Sequence, residues 1–402
     1  MVPNKSNWDQ KRFKDLVKLD RGSSPRPIVD YITDSEDGVN WIKIGDTKDS
    51  TLFINSTNQK ITKEGAKKSR KVSKGEIILS NSMSYGKPYI LNIDGFIHDG
   101  WFVIRNYEDS FDKDYLLQYL GSEVIQNQYK RLAAGGVVSN ISSDLVYSVR
   151  AVVPPLLEQQ KIAKILSTWD KAISTTERLI DNSTQQKKAL MQQLLTGKKR
   201  LLDDEGNRFE GEWEEVKLSA VAQIIMGSSP KSESYNEVGD GLPLLQGNAD
   251  IKNRKSVPRI YTSQITKECQ VDDILFSVRA PVGTVAVSKH HACIGRGIAA
   301  IKAKKNHSQD YLYQWLLSFE LKWERYSQGS TFEAVNSNDI KSLNLSVPSF
   351  KEQQKIATVL TNADKEIELF EQQLADLQQE KKALMQVLLM GKKRVLVNEA
   401  VA

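Results

Sequence analysis

A chain of 402 residues, 40% hydrophobic and 26% charged, can hold two or three domains with separate cores and has the balance of a soluble globular protein. Its net charge of +6 permits a nucleic-acid partner without requiring one. No apolar run approaches the roughly 20 residues of a membrane span, and the N-terminal stretch lacks the apolar core of a signal peptide. The two cysteines, Cys269 and Cys293, make no disulfide framework, so the expected address is the cytoplasm, away from any membrane.

From Trp8 to about Val153, short β-rich runs alternate with turns: Val39–Ile44, Gly75–Leu79, Tyr89–Ile93 and Phe96–Ile104. Gly22-Ser23-Ser24-Pro25, Asn81 to Ser84 and Gly135-Gly136 punctuate them. A helix is expected over Lys113–Arg131, and the whole stretch reads as a mixed α/β domain.

A different pattern follows. Residues 158–200 recur at 352–394 with a constant offset of 194 and no insertion: Gln159 matches Gln353, Lys188 matches Lys382 and Gly197 matches Gly391. Apolar residues fall in steps of three and four, at Ile162, Leu166, Trp169, Ile173 and Ile180, and at Ile356, Leu360, Ile367, Phe370, Leu374 and Leu377. That spacing predicts two long helices, each about 60 Å, with a coiled-coil seam. Pro154, Pro155 and Pro348 mark their starts, and Gly197 and Gly391 their ends. Thr176 and Ser183 interrupt the first seam where the second has Phe370 and Leu377, while Lys187 and Lys381 are polar seam positions in both. Neither helix looks self-sufficient, and each is the other's simplest partner.

Between Trp213 and Val347 the first domain returns in diverged form. Gly227-Ser228-Ser229-Pro230 repeats the Gly-Ser-Ser-Pro run at an offset of 205, Asp273–Ser277 repeats Glu76–Ser80 at 197, and Asp310-Tyr311-Leu312 repeats Asp114-Tyr115-Leu116 at 196. Residues are therefore lost from loops and never from the long helices, as expected where loops carry the variable part. The expected architecture is an α+β chain. Two mixed α/β domains (1–153 and 213–347) are separated by two long helical regions (154–200 and 348–394) that pair as an antiparallel coiled coil. A linker of twelve residues (201–212), and a tail (395–402) that together with the seven residues before Trp8 would make a joint of fifteen, suggest a cyclic, pseudo-twofold repeat.

Catalytic parts are hard to find. There is no phosphate-binding Gly-x-x-x-x-Gly-Lys-Ser/Thr loop and no Asn-Pro-Pro-Tyr run. Glu215/Lys217 and Glu380/Lys382 satisfy only the bare Glu-x-Lys spacing of a nuclease, at a linker edge and on a helix surface. His290 and His291 with Cys293 lack a second pair of metal ligands. No catalytic residue and no metal site is expected.

Duplicated domains joined by long helices suit a reader of two DNA half-sites, with Arg, Lys, Asn and Gln on loops as the base-edge readers. The candidates in the first domain are Lys67, Lys68, Arg70, Asn81, Ser82, Ser84, Tyr85, Lys87, Arg131 and Asn140. In the second they are Arg279, Lys289, Arg296, Gln328, Ser330, Thr331, Asn336 and Asn338, with Gln246, Asn248, Arg254 and Lys255 weaker.

The helical motifs carry a family resemblance. Pro154-Pro155-Leu156-Leu157-Glu158-Gln159-Gln160-Lys161-Ile162-Ala163, Lys188 to Gly197 and their counterparts from Pro348 to Gly391 resemble the two helical regions of a specificity subunit from a bacterial type I restriction-modification enzyme. The likeness covers the chain from end to end. It implies that each domain reads one part of a split double-stranded DNA target and that the helix pair sets the unread gap. It also implies a scaffold for two methyltransferase subunits, which use S-adenosylmethionine, and two restriction subunits, which use ATP and Mg, with no cofactor on this chain. Exposed residues of the repeated helices, Gln159, Gln160, Lys188 and Gln192 with Gln353, Gln354, Lys382 and Gln386, are the expected partner contacts. The competing expectation is a coiled-coil scaffold joining two protein-binding domains without DNA sequence preference.

Overall fold

The computed structural model describes residues 8–47, 51–82, 86–133, 141–328 and 335–397. The chain forms two compact units, Met1–Glu177 with Gln372–Ala402, and Arg178–Glu371. Each unit therefore holds one α/β domain, the near part of the long helix that follows it and a part of the other long helix.

In the first unit, one five-stranded sheet runs in the order Ile32–Thr33, Gln59–Ile61, Val39–Ile42, Gly95–Ile97, Arg70–Val72. A second runs Lys18–Arg21, Trp101–Arg105, Ile77–Ser80, Pro88–Leu91, Phe53–Ile54. Both are mixed, with Phe96 beside Trp41 and Phe53 beside Ile90 in parallel register. The strand Ile77–Ser80 is buried at every position, so its two faces serve two cores. Ile77 and Leu79 pack with Phe13, Tyr115, Tyr119, Ile162, Leu166 and Leu388 on the helical side. Ile78 packs with Tyr89, Trp101 and Val103 in the other core.

The second unit repeats this plan. Its sheets run Ala222–Met226, Ile298–Ala303, Ile274–Ser277, Val285–Val287, Lys255–Ser256, Ile251–Lys252, and Tyr235–Asn236, Ile260–Thr262, Leu242–Leu245, Ala292–Ile294, Glu268–Cys269. Ile274 and Phe276 meet Tyr311, Leu194, Ile356 and Leu360, while Leu275 turns to Ala286, Ile294 and Ala300.

Two element boundaries differ from the sequence reading. The expected strand Phe96–Ile104 is two strands, Gly95–Ile97 and Trp101–Arg105, in different sheets, with a turn at His98–Gly100. The expected helix Lys113–Arg131 is also two, Lys113–Leu120 and Glu123–Ala133. Gly121 caps the first and the Ser122 hydroxyl bonds back to Tyr119 O at 2.6 Å. The second domain has Leu317-Ser318 at the matching place, and there the helix Gln309–Gln328 runs through.

The long helices span Leu156–Leu194 and Phe350–Leu388. Both end as the glycines predict: Gly197 has φ 69° and Gly391 φ 65°, and the amides of Lys199 and Lys393 return to Gln193 O and Val387 O. Within each unit the two helical segments are antiparallel. In the first, Lys381 donates to Asp170 at 2.6 Å and Arg394 grips Glu158. In the second, Lys187 pairs with Asp364, and Arg200 grips Glu352 through two bonds of 2.6 and 2.7 Å. These are the same two interactions with the helices exchanged, since each partner lies 194 positions from its counterpart. The seam lysines are thus register pins: an ammonium on a packed face is tolerated only where a carboxylate meets it. Gln118 and Gln314 brace those carboxylates from the domains, at 2.5 and 2.7 Å. Thr176 and Ser183 are not gaps in the seam; both are buried, and the Thr176 hydroxyl is satisfied by Ala172 O at 3.0 Å.

Candidate nucleic-acid interface

The repeated Gly-Ser-Ser-Pro run forms the same structure in both units. Gly22 N–H donates to Trp101 O at 2.8 Å and Ser23 N–H to Ile97 O at 3.2 Å. Gly227 N–H donates to Ile298 O and Ser228 N–H to Ile294 O, both at 2.9 Å. The loop is clamped onto the turn between two strands, so closely that a Cβ on Gly22 would stand 1.9 Å from His98 O and one on Gly227 2.1 Å from Gly295 O. Only glycine permits that approach.

Each clamp ends on one side chain of the turn. Ser24 Oγ donates to Asp99 Oδ1 at 2.7 Å, and Asp99 N–H lies 3.4 Å from the same hydroxyl. At the equivalent place Arg296 N–H donates to Ser229 Oγ at 3.2 Å, with Arg296 Nε at 3.4 Å. The Ser24 hydroxyl holds the Asp99 carboxyl below its ordinary pKa, against the opposing effect of burial. Beside it, burial pushes the His98 imidazole below its ordinary value although Asp99 pulls the other way.

A cationic surface surrounds the first clamp. Arg26 meets Asp99 at 3.4 Å, Arg21 Nε donates to Asp99 O at 3.3 Å, and Arg70 Nε donates to Arg21 O at 3.1 Å. Ser23 Oγ donates to Lys68 O at 3.1 Å, and the Lys68 ammonium lies 4.6 Å from the centre of the Tyr31 ring. Of the expected readers, Lys68 and Arg70 therefore converge on the clamp, and Lys67 is exposed on the adjoining short helix. Asn81 is a correction: it is buried, and its Nδ2 donates to Asp99 O at 2.8 Å, so it props the turn from below. Ser82 and Lys87 are half-buried, and Arg131 is exposed near the end of Glu123–Ala133. Ser84, Tyr85 and Asn140 lie outside the described residues.

In the second unit Arg279 and Arg296 are exposed, the first just past the strand Ile274–Ser277 and the second in the turn before Ile298–Ala303. Lys289 is exposed and paired with Asp272 at 3.1 Å. Asn336 does a structural task, accepting from Asn338 N and Asp339 N to cap the helix Ser337–Lys341, and Asn338 is exposed in its first turn. Gln328 ends its helix, but its side chain, like Ser330 and Thr331 entirely, falls outside what is described. Gln246 and Asn248 are held by Tyr235 Oη and Pro281 O, Arg254 by Glu320, and Lys255 by Glu368. Arg21, Arg26, Ser24, Ser229 and Asp99 were missed as site residues, although the exact return of the Gly-Ser-Ser-Pro run was a usable signal.

The helix surfaces need one more correction. Gln159 and Gln353 are not exposed. Each is buried, accepting from a domain backbone amide (Asp112 N at 2.8 Å, Ser308 N at 2.9 Å) and donating to the proline carbonyl before its helix, at 2.9 Å in both. They lock helix to domain, which is a reason for their identity that needs no partner. Gln160, Gln354, Lys188, Gln192, Lys382 and Gln386 are exposed, and the last two meet Glu123 in the first unit at 2.7 and 2.8 Å.

Among the described residues no group of three His, Cys, Asp or Glu is placed to hold a metal, and no helix is long and apolar enough to cross a membrane. His290 bonds to Ser256, His291 to Glu268, and Cys293 is buried. Glu215 and Lys217 are exposed on a strand paired with Asn344–Val347. What the two clamps offer, on rigidly held turns, is a carboxylate ringed by cations in the first unit and an arginine in the second.

Residues 5–182 and 210–379 match the type I restriction modification DNA specificity domain. The type I restriction enzyme MjaX specificity subunit of Methanocaldococcus jannaschii is 32% identical over 97% of this chain and 94% of its own length. The MjaVIII specificity subunit of the same organism is 23% identical over 97% and 93%. A chain from a solved structure concerning assembly and conformational transition of a type I restriction-modification system superposes with a TM-score of 0.63 at 25% identity, covering 98% of this chain and all of that one. The S subunit of the M. genitalium type I system shares the fold, with a TM-score of 0.61 at 16% identity over 96% and 97% of the two chains.

Proposed function

Because the chain belongs to the type I restriction-modification DNA specificity family, we propose that it reads a split DNA target, one half per α/β domain. On this reading residues 1–153 and 213–347 are the recognition domains. The helical regions 154–200 and 348–394 set the length of the unread gap. The chain catalyses nothing itself. Two methyltransferase subunits, bringing S-adenosylmethionine, and two restriction subunits, bringing ATP and Mg, dock on it in the cell's interior. The exposed Gln160 and Gln354, Lys188 and Lys382, and Gln192 and Gln386 form paired surfaces for two copies of one partner.

The observation that supports this reading best is the duplicated clamp. A loop identical in both domains holds a turn whose projecting residue differs, Asp99 in one and Arg296 in the other. Constant scaffold with variable presentation is what two separate half-target readers need. The test is methylation mapping of a genome carrying this chain with its methyltransferase. Replacing residues 1–150 by another recognition domain changes one half of the mapped target and leaves the other intact. Adding one turn to both long helices changes only the gap. Binding that responds to salt but ignores sequence refutes the reading and favours a scaffold without base readout.

A further inference from the structure

Two arginines flank the end of the strand pair Ile274–Ser277 and Ile298–Ala303, Arg279 just beyond the first strand and Arg296 just before the second. Ser277 is in register with Ile298, and Val278 N–H donates to Gly297 O at 3.0 Å. Arg279 and Arg296 lie beyond this last bonded step, Arg296 within the tight turn that Ile298 N–H closes by donating to Gly295 O at 3.1 Å. Both are exposed, and among the described residues neither meets a carboxylate.

The presentation is also rigid. Arg296 lies between two glycines: a Cβ on Gly297 would stand 2.1 Å from Gln246 O, and one on Gly295 would be 3.3 Å from Gln246 Cα and from Ser229 Oγ. Its amide is held by Ser229 Oγ at 3.2 Å. In the first domain the corresponding end follows Ser80–Trp101 and the bond from Asn81 N–H to Gly100 O, and there Asp99 stands in the turn where the second domain has Arg296. The same clamped turn therefore offers a guanidinium in one domain and a carboxylate in the other.

We propose that Arg296, with Arg279 raising the local positive potential, reads a guanine in the half-target of the second domain. A guanidinium fork matches the O6 and N7 acceptors of guanine in the major groove. Asp99 at the matching turn repels that same edge, so the first domain does not read guanine through this turn. The inference rests on the DNA-reading function proposed above.

The experiment uses the complex of this chain with its methyltransferase and a duplex carrying the mapped target. Each guanine of the second half is replaced in turn by 7-deazaguanine, which lacks the N7 acceptor. The wild-type complex is expected to lose between about 5- and 150-fold in affinity at one such position. Arg296→Gln binds the natural duplex more weakly by a similar factor and is indifferent to the replacement. Arg296→Lys keeps the charge and is also indifferent, which guards against a loss that merely reflects charge or misfolding. Three outcomes overturn the proposal. One is a second half without guanine. Another is Arg296→Gln retaining the wild-type sensitivity at every position. The third is a uniform loss of affinity with a shallower salt dependence and unchanged base preference, which marks a phosphate contact. A wild-type complex that prefers no sequence overturns the DNA-reading function itself and is recognised before any variant is made.

Discussion

Removing the guanidinium of Arg394 leaves Glu158 as a carboxylate without its cation in the first helical turn. The Glu158 side chain is 5% exposed, and Arg394 binds it through both of its forks while lying 5.2 Å from the centre of the Trp8 ring. The intact pair adds little net stability, because desolvation offsets most of the attraction. Breaking it is different: one orphaned buried charge costs about 3–5 kcal/mol. In a unit of this size each kcal/mol lowers the melting temperature by about 2–4 °C. Arg394→Ala should therefore melt the first unit about 6–20 °C early in calorimetry. The reciprocal change Arg200→Ala should do the same to the second unit, where the Glu352 side chain is fully buried. Replacing both partners, as in Glu158→Leu with Arg394→Met, should recover most of the loss, since no charge is then stranded. An Arg394→Ala protein melting within a degree of wild type, or a double variant less stable than the single one, would refute the reasoning.

Two further outcomes follow from the clamps. Gly22→Ala drives a methyl group into His98 O and Gly227→Ala one into Gly295 O; each should cost about 1–3 kcal/mol and, on methylation mapping, degrade only its own half of the target. His98 gives a pH dependence. Gly100 N–H donates to its Nδ1 at 2.7 Å, a bond that only an unprotonated Nδ1 accepts, and burial lowers its pKa below 6.5. The unfolded chain binds this proton more readily than the folded one. The stability conferred by the neutral ring is thus fully present above about pH 6.5 and drains away as the pH falls through the lowered folded value. His98→Gln should flatten that part of a stability-against-pH curve measured by denaturant unfolding, and an unchanged slope would contradict the assignment.

Much of this was legible before any coordinates. The offset of 194 defined two equivalent long helices, and Gly197 and Gly391 marked their ends, because helix periodicity and termination are local properties. The Gly-Ser-Ser-Pro run at Gly22 and Gly227 announced a repeated loop without saying what it clamps. The divided helix at Gly121-Ser122 and the divided strand at His98–Gly100 were harder, since an apolar stretch does not reveal that the chain changes direction within it. Gln159 and Gln353 misled: on a helical wheel they stand outside the seam, yet the domain covers them.

The repeat, by itself, determined that the chain is two copies of one plan and that its long helices need partners, because such periodicity is written into side-chain spacing. Tertiary structure alone decided which charges meet. Asp170 with Lys381 and Asp364 with Lys187 lie far apart along the chain, and only antiparallel packing brings them within bonding distance. It alone also showed Asp99 and Arg296 gripped at one corresponding turn, since their amides reach the hydroxyls of Ser24 and Ser229, more than sixty residues away in each case.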